Sequence, residues 1–183
     1  NGSVSCTGAS QTFTITVNPT AQVNDPSDQV ICNGGSTTAV NFSTTNTVGT
    51  TTYAWTNNTT SIGLAASGTG NIASFTATNN GTAPVVATIT VTPSFTNGSV
   101  SCTGSSQTFT ITVNPTAQVN DPADQVICNG GSTTAVNFNT TNTVGTTTYS
   151  WTNSLTSIGL AANGTGNIAS FTAVNNGTAP VVA

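Results

Sequence analysis

The sequence predicts an all-β chain. Three observations carry that expectation: alternation of apolar and polar residues, an unusual abundance of threonine, and a long internal repeat. In Phe13-Thr-Ile-Thr-Val17 the apolar side chains alternate with threonine. From Val85 to Phe95, Val85, Ala87, Ile89, Val91 and Phe95 are apolar, with Thr88, Thr90 and Thr92 between them. Such alternation marks a strand buried on one face. Threonine is β-branched and fits a pleated surface. The 183 residues include 42 Thr, 23 Asn and 19 Ser, with 35% apolar and 2% charged. Disorder combines low hydrophobicity with high net charge, and the charge is missing here.

The repeat sets the organisation. Asn1-Gly-Ser-Val-Ser-Cys6 recurs as Asn97-Gly-Ser-Val-Ser-Cys102, a period of 96, and residues 1–87 match 97–183 at 79 of 87 positions without a gap. That period is too long for a solenoid coil and suits a β-sandwich domain. Pro19-Thr-Ala-Gln22 and its copy Pro115-Thr-Ala-Gln118 read as linkers. Residues 20–114 are then one complete repeat. Its expected strands are Gln29–Cys32, Thr37–Ser43, Thr50–Thr56, Ile62–Ala65, Asn71–Thr78, Pro84–Phe95 and Gln107–Asn114. Seven short strands separated by Gly, Asn and Thr turns fit an immunoglobulin-like Greek-key sandwich. Residues 1–19 read as the last strand of a preceding repeat, and 115–183 as a repeat lacking its last two strands. The start in mid-pattern, without a signal peptide, predicts a segment internal to something longer.

Parity assigns the core. Val40 and Phe42 share a face, as do Tyr53 and Trp55, and Ala73, Phe75 and Ala77, while Phe109, Ile111 and Val113 close the domain. Thr52, Thr56, Thr88, Thr90, Thr108, Thr110 and Thr112 are expected to face water. Trp55, Trp151, Tyr53 and Tyr149 are expected in the core before they are expected to stack on sugars.

Composition removes whole classes of function. Lys, Arg and His are absent, and the formal charge is −4. Nucleic-acid binding needs cations against phosphate. No Ser–His or Cys–His pair can exist, nor a Schiff-base lysine. A His-ligated zinc or iron site is impossible, and so is basic attraction to an anionic membrane. No apolar run approaches the ~20 residues needed to span a bilayer. The chain is therefore expected to be no enzyme and to need no cofactor.

Gln29-Val-Ile-Cys-Asn-Gly34, Tyr53-Ala-Trp-Thr-Asn57, Ser61-Ile-Gly-Leu-Ala-Ala-Ser-Gly-Thr-Gly-Asn-Ile72, Ala87-Thr-Ile-Thr-Val-Thr-Pro93 and Thr108-Phe-Thr-Ile-Thr-Val-Asn-Pro-Thr116 follow one another in a set order. In that order they resemble the PKD-like, immunoglobulin-like tandem repeats of giant cell-surface proteins of Bacteroidota, of the gliding-motility-adhesin type. The resemblance covers essentially the whole chain. It implies an exported, secreted bacterial repeat at the cell surface or outside the cell, and it brings no catalytic residues with it.

Two constellations have chemistry to offer. The cysteines come two per period, and Cys32 with Cys102 is the leading disulfide inside the complete repeat. Cys6 and Cys128 would then pair with neighbouring repeats. The rival pairs Cys6–Cys32 and Cys102–Cys128 across the linkers stay open. Asp25-Pro-Ser-Asp28 and Asp121-Pro-Ala-Asp124 either bind calcium at the domain junction or cap a turn around proline. Two carboxylates are few for calcium, so the expectation for metal is none. Asn-X-Ser/Thr triplets are no more frequent than composition dictates, although Ser and Thr leave O-linked glycans open. Lysine-dependent isopeptide cross-links cannot form.

The expected function is structural: a repeat of an extracellular filament or cell-surface stalk, assembled head to tail with copies of itself. The alternative is a repetitive adhesin binding a glycan or surface ligand through loops such as Gly68-Thr-Gly70. The Asn1–Pro19 strand is expected to complete the 115–183 domain of a neighbouring copy. Either covalent continuity across nine further residues or strand donation would do this, and continuity is the more economical.

Overall fold

The computed structural model describes residues 2–183. Among them the only helical turns are two short 3-10 segments, Thr60–Ile62 and Thr156–Ile158, so the chain is all-β. Eight strands follow in order: β1 (Gln29–Cys32), β2 (Thr50–Asn57), β3 (Ser67–Thr69), β4 (Val85–Asn97), β5 (Val100–Thr103), β6 (Gln107–Asn114), β7 (Ser150–Thr152) and β8 (Asn163–Thr165).

One sheet dominates. Its strand order is β1-β6-β4-β2-β3, with β5 also on β4. β1 runs parallel to β6, pairing Gln29 with Ile111 and Cys32 with Asn114. The other neighbours are antiparallel, with Trp55 opposite Val91 and Ala87 opposite Ile111. β4 is the spine of the sheet. Ala87, Ile89, Val91, Pro93 and Phe95 alternate inward along it, as their spacing in the sequence requires. A proline inside a strand would normally cost a ladder bond. Here β6 pairs only as far as Val91 and β5 takes over at Ser94, so Pro93 sits at the handover, where its carbonyl still accepts the Gly104 N–H at 3.0 Å. β4 turns into β5 through Asn97-Gly98, with Gly98 at φ 61.

The segments around Thr37–Phe42 and Ile72–Ala77 cover the apolar face of this sheet. They are tied to each other by bridges Ser36↔Thr76 and Val40↔Ile72. Val40, Phe42, Ile72 and Ala77 join Trp55, Ile89, Val91, Phe109, Ile111 and Val113 in one buried cluster. Each such aliphatic or aromatic side chain contributes about 1.5–3 kcal/mol by leaving water. Thr52, Thr56 and Thr108 lie exposed on the opposite face, and Thr88, Thr90, Thr110 and Thr112 are half-buried there.

Several expected elements take another form. Residues 37–43 and 71–78 are extended, but their backbones pair with each other only at the two isolated bridges. There the Thr37 N–H donates to the Phe75 carbonyl (2.9 Å) while Thr37 Oγ1 accepts the Phe75 N–H (3.0 Å), so a side chain takes one half of the backbone exchange. The phase of the strand slips at that point: Ile72 is buried, Ala73 is exposed, and Phe75 and Ala77 turn inward again. Ile62–Ala65 is not a strand. Gly63 has φ 96, where only glycine is comfortable, and closes the 3-10 turn with its N–H on the Thr60 carbonyl (3.1 Å).

The 96-residue period recurs in local geometry. Trp55 faces Gly68 across β2 and β3, and Trp151 faces Gly164 across β7 and β8. Bridges Ser132↔Thr172 and Val136↔Ile168 repeat the first pair. Burial does not repeat, since no residue beyond Val113 is buried. Residues 125–128 form no strand, although their sequence equals that of β1. Residues 2–19, expected to be a strand, take no regular secondary structure.

Candidate functional site

The most elaborate arrangement in the chain is the seat of β6. The strand slots between β1 and β4, hydrogen-bonded on both sides. Its inward residues Phe109, Ile111 and Val113 are at most 2% exposed. Side chains outside the sheet fix its register. Asp28 Oδ1 accepts the Thr110 backbone N–H at 2.6 Å. The Asn33 N–H donates to the Asn114 carbonyl at 2.8 Å, and Asn33 Nδ2 to Thr116 Oγ1 at 2.9 Å. Buried Asn79 donates through Nδ2 to the Val113 carbonyl (2.7 Å) and the Ala83 carbonyl (2.8 Å). Phe42 meets Phe109 edge-on, with ring centroids 6.5 Å apart.

The side chains that fix the register of β6 from outside the sheet recur 96 residues on, as does β1 in sequence, and of β4 the Val85–Ala87 stretch recurs as Val181–Ala183. Asp124, Asn129 and Asn175 replace Asp28, Asn33 and Asn79. Asn175 Nδ2 donates to the Ala179 carbonyl at 2.9 Å, and Asn129 Oδ1 accepts the Asn175 N–H at 2.9 Å, as in the first copy. Phe138 packs on Tyr149 as Phe42 packs on Tyr53. No strand lies between 125–128 and 181–183, and these residues are exposed, Val126 almost completely.

The cysteine expectation requires correction. All four thiols are unpaired. Cys32 ends β1 beside Asn114, next to the Val113↔Val85 pair, whereas Cys102 faces Phe95. Ten residues of β4 separate Val85 from Phe95, roughly 33 Å at about 3.3 Å per residue. Bridged cysteines have Cα atoms within about 7 Å. Cys32 and Cys102 therefore do not pair within this repeat. The same register argues against Cys6 of a neighbouring repeat meeting Cys128. The spacing along the chain said nothing about which end of the sheet each thiol occupies.

Asp25 and Asp28 line an open depression of about 450 Å³ together with Asn24, Gln29, Thr38 and Asn41. Among the described residues, no group of three or more His, Cys, Asp or Glu side chains could hold a metal ion. The structure gives Asp28 a different task, as an acceptor for the β6 backbone. Asp121 and Asp124 are exposed.

Trp55 is buried with its indole laid on Gly68, where an added Cβ would come within 2.3 Å of the ring. Tyr53 is half-buried beside Phe42, and burial raises its phenol above the ordinary value. Tyr53 also borders an open groove of about 640 Å³, with Thr69, Gly70, Thr92, Ser94 and Thr103. The Gly68-Thr-Gly70 loop thus reaches a concave surface of hydroxyls and one aromatic ring.

Two buried asparagines escaped the sequence reading. Asn57 donates through Nδ2 to the Leu64 carbonyl (3.1 Å) and accepts the Thr59 N–H (3.0 Å), closing the loop after β2, while Asn79 ties down the end of β6. Their signal was an asparagine at the end of each apolar alternation in both copies, hidden among 23 asparagines.

No family model matches the chain, and neither a curated protein nor a solved structure matches it.

Proposed function

We propose that the chain is a structural, non-catalytic repeat of an extracellular filament or cell-surface stalk, a bacterial module of the PKD-like kind that its sequence resembles. In this proposal each 96-residue period is an immunoglobulin-like Greek-key sandwich and successive copies join head to tail. The order β1-β6-β4-β2-β3, covered by the 36–43 and 71–78 segments, supports the sandwich. The observation that carries the function is the recurrence of the Trp–Gly register and of the Val–Ile bridge 96 residues apart. What is duplicated is a building block, and a row of building blocks provides length. The junction is polar: the Thr143 N–H donates to the Thr82 carbonyl (2.9 Å) and Asn33 Nδ2 to Thr116 Oγ1.

Electron microscopy of native material carrying this chain tests the proposal. Expected is an unbranched fibre whose axial repeat per module is about 40 Å, the length of a strand such as β4. Compact particles without a linear repeat would refute it. The groove beside Tyr53 favours one second reading, a glycan-binding adhesin. In that case Tyr53→Ala would abolish binding on a glycan array, and a wild-type chain that binds no glycan would dismiss it.

A further inference from the structure

We infer that residues 125–128 and 181–183 form a seat for the Gln11–Asn18 segment of a second copy of this chain, inserted as β6 is inserted in the first repeat. This rests on the filament proposal and specifies its joint.

The donor segment is β6 in sequence. Gln11–Asn18 and Gln107–Asn114 are the same eight residues. In β6 the three apolar side chains are buried, whereas Phe13, Ile15 and Val17 are 78–86% exposed. The acceptor is also the same in sequence, for Gln125–Cys128 repeats Gln29–Cys32 and Val181–Ala183 repeats Val85–Ala87. Transferring the observed register pairs Ile15 with Gln125 on one side and with Ala183 on the other. Asp124 would accept the Thr14 N–H, the Asn129 N–H would find the Asn18 carbonyl, and Asn175 Nδ2 the Val17 carbonyl, as their counterparts do in the first repeat. Phe138 would gain Phe13 as Phe42 has Phe109. An unpaired apolar edge is a template for an added strand, and here the chain itself supplies the matching one.

Within one chain this donor does not reach this acceptor. Asn97 Nδ2 bonds Asn18 Oδ1 at 2.9 Å, holding the donor at the far end of β4. The second repeat joins the first at Thr82 and Asn33, beside the opposite end. Twelve residues of β4 lie between, roughly 40 Å. Donor and acceptor therefore sit at opposite ends of the molecule, and such a contact propagates into a line, not a closed pair.

Glycine supplies a test that a merely sticky surface would not meet. A Cβ on Gly104 would fall 1.9 Å from the Ala21 carbonyl oxygen, which lies against the β5–β6 turn. The counterpart, Gly8, has nothing within 4 Å. On docking, Ala117 of the acceptor would take the place of Ala21. Gly8→Ala should thus leave the isolated chain untouched and obstruct the joint.

Sedimentation velocity of the 183-residue chain across a concentration series reads the outcome. Wild type should form linear oligomers that grow with concentration, and a synthetic peptide copying Ser10–Pro19 should cap them, one peptide per open end. Ile15→Asp should weaken association on the order of 100-fold. Gly8→Ala should weaken it as well, both variants keeping the wild-type melting temperature at dilute concentration. Val4→Asp, at an exposed site outside the segment, should assemble like wild type. If wild type stays monomeric and binds no peptide, the seat is refuted, and microscopy of the native fibre then decides the filament proposal separately. If Ile15→Asp and Gly8→Ala form the same linear oligomers as wild type, the seat is refuted while the filament stands.

Discussion

Ile15 and Ile111 occupy the same position in identical eight-residue segments, yet one is 78% exposed and the other fully buried. That contrast isolates burial from every local property of sequence. Ile111 sits between Gln29 on β1 and Ala87 on β4, with Ile89 and Val113 around it in the core. Truncating such a residue to alanine removes buried methyl groups and leaves a cavity, at a cost of about 2–5 kcal/mol. For a unit of the size of residues 20–114, each kcal/mol shifts the melting temperature by about 4–8 °C. A mid-range loss of about 3 kcal/mol therefore lowers it by roughly 12–24 °C. Ile15→Ala removes the same atoms from a solvated side chain and should stay within about 0.5 kcal/mol, or roughly 4 °C. The assay is thermal or urea unfolding followed by far-ultraviolet circular dichroism, at concentrations low enough to keep chains apart. Equal losses in both variants would refute the reasoning, because they would mean that residues 11–18 share the core site with β6. A loss under about 1 kcal/mol for Ile111→Ala would equally show that β6 does not close the core.

Gly68→Ala should destabilise by about 1–3 kcal/mol, because its Cβ would run into the buried Trp55 ring; Gly164→Ala makes the same clash with the half-buried Trp151 and should cost less, with chemical unfolding of both as the check. Stability should be nearly flat between pH 5 and 9 and insensitive to salt, since the chain has four carboxylates and no cationic side chains. Above about pH 10 it should fall: burial raises the Tyr53 phenol, so its stabilising effect is complete below the unfolded value and is lost as pH climbs through the folded one. Melting curves from pH 9 to 12 check this, and Tyr53→Phe should flatten the decline. Dithiothreitol should leave the melting temperature of the dilute chain unchanged, because its thiols are unpaired; a drop would point to a bridge across a linker, Cys6–Cys32 or Cys102–Cys128, since the strand register forbids Cys32–Cys102.

What the sequence revealed was what periodicity encodes. The limits of β6, the inward set on β4 and the threonine face follow from a two-residue alternation, whereas β1 was legible as a short apolar run, Val30-Ile-Cys32, ahead of the Asn33-Gly34 turn. The slip between Ile72 and Phe75 was invisible, because it depends on the Thr37 hydroxyl reaching a backbone 38 residues away. The Ile62–Ala65 segment looked like a strand from its apolar residues, but Gly63 marked a left-handed turn. The β4–β5 hairpin carried a clear Asn97-Gly98 turn signal, which the repeat boundary at the same residues obscured. The parallel β1–β6 pairing was out of reach, since it joins segments nearly 80 residues apart with no local signature. The cysteine expectation failed for the same reason, because one-dimensional spacing does not tell which end of a sheet a residue reaches. Asp28 was legible as a polar cap but not as the acceptor for Thr110.

The parallel pairing of β1 with β6 also decides how the first repeat responds to tension. The chain enters the repeat ahead of β1 and leaves it after Asn114, at the end of β6. A pull on both ends draws these two neighbouring strands in opposite directions along their length. The hydrogen bonds between them run across that direction, so they are loaded in shear and share the force instead of parting one at a time. Asn33 and Asn79, clamped on the final carbonyls of β6, sit where the load leaves the sheet. A repeat wired this way resists stretching through its strand order, without a covalent cross-link.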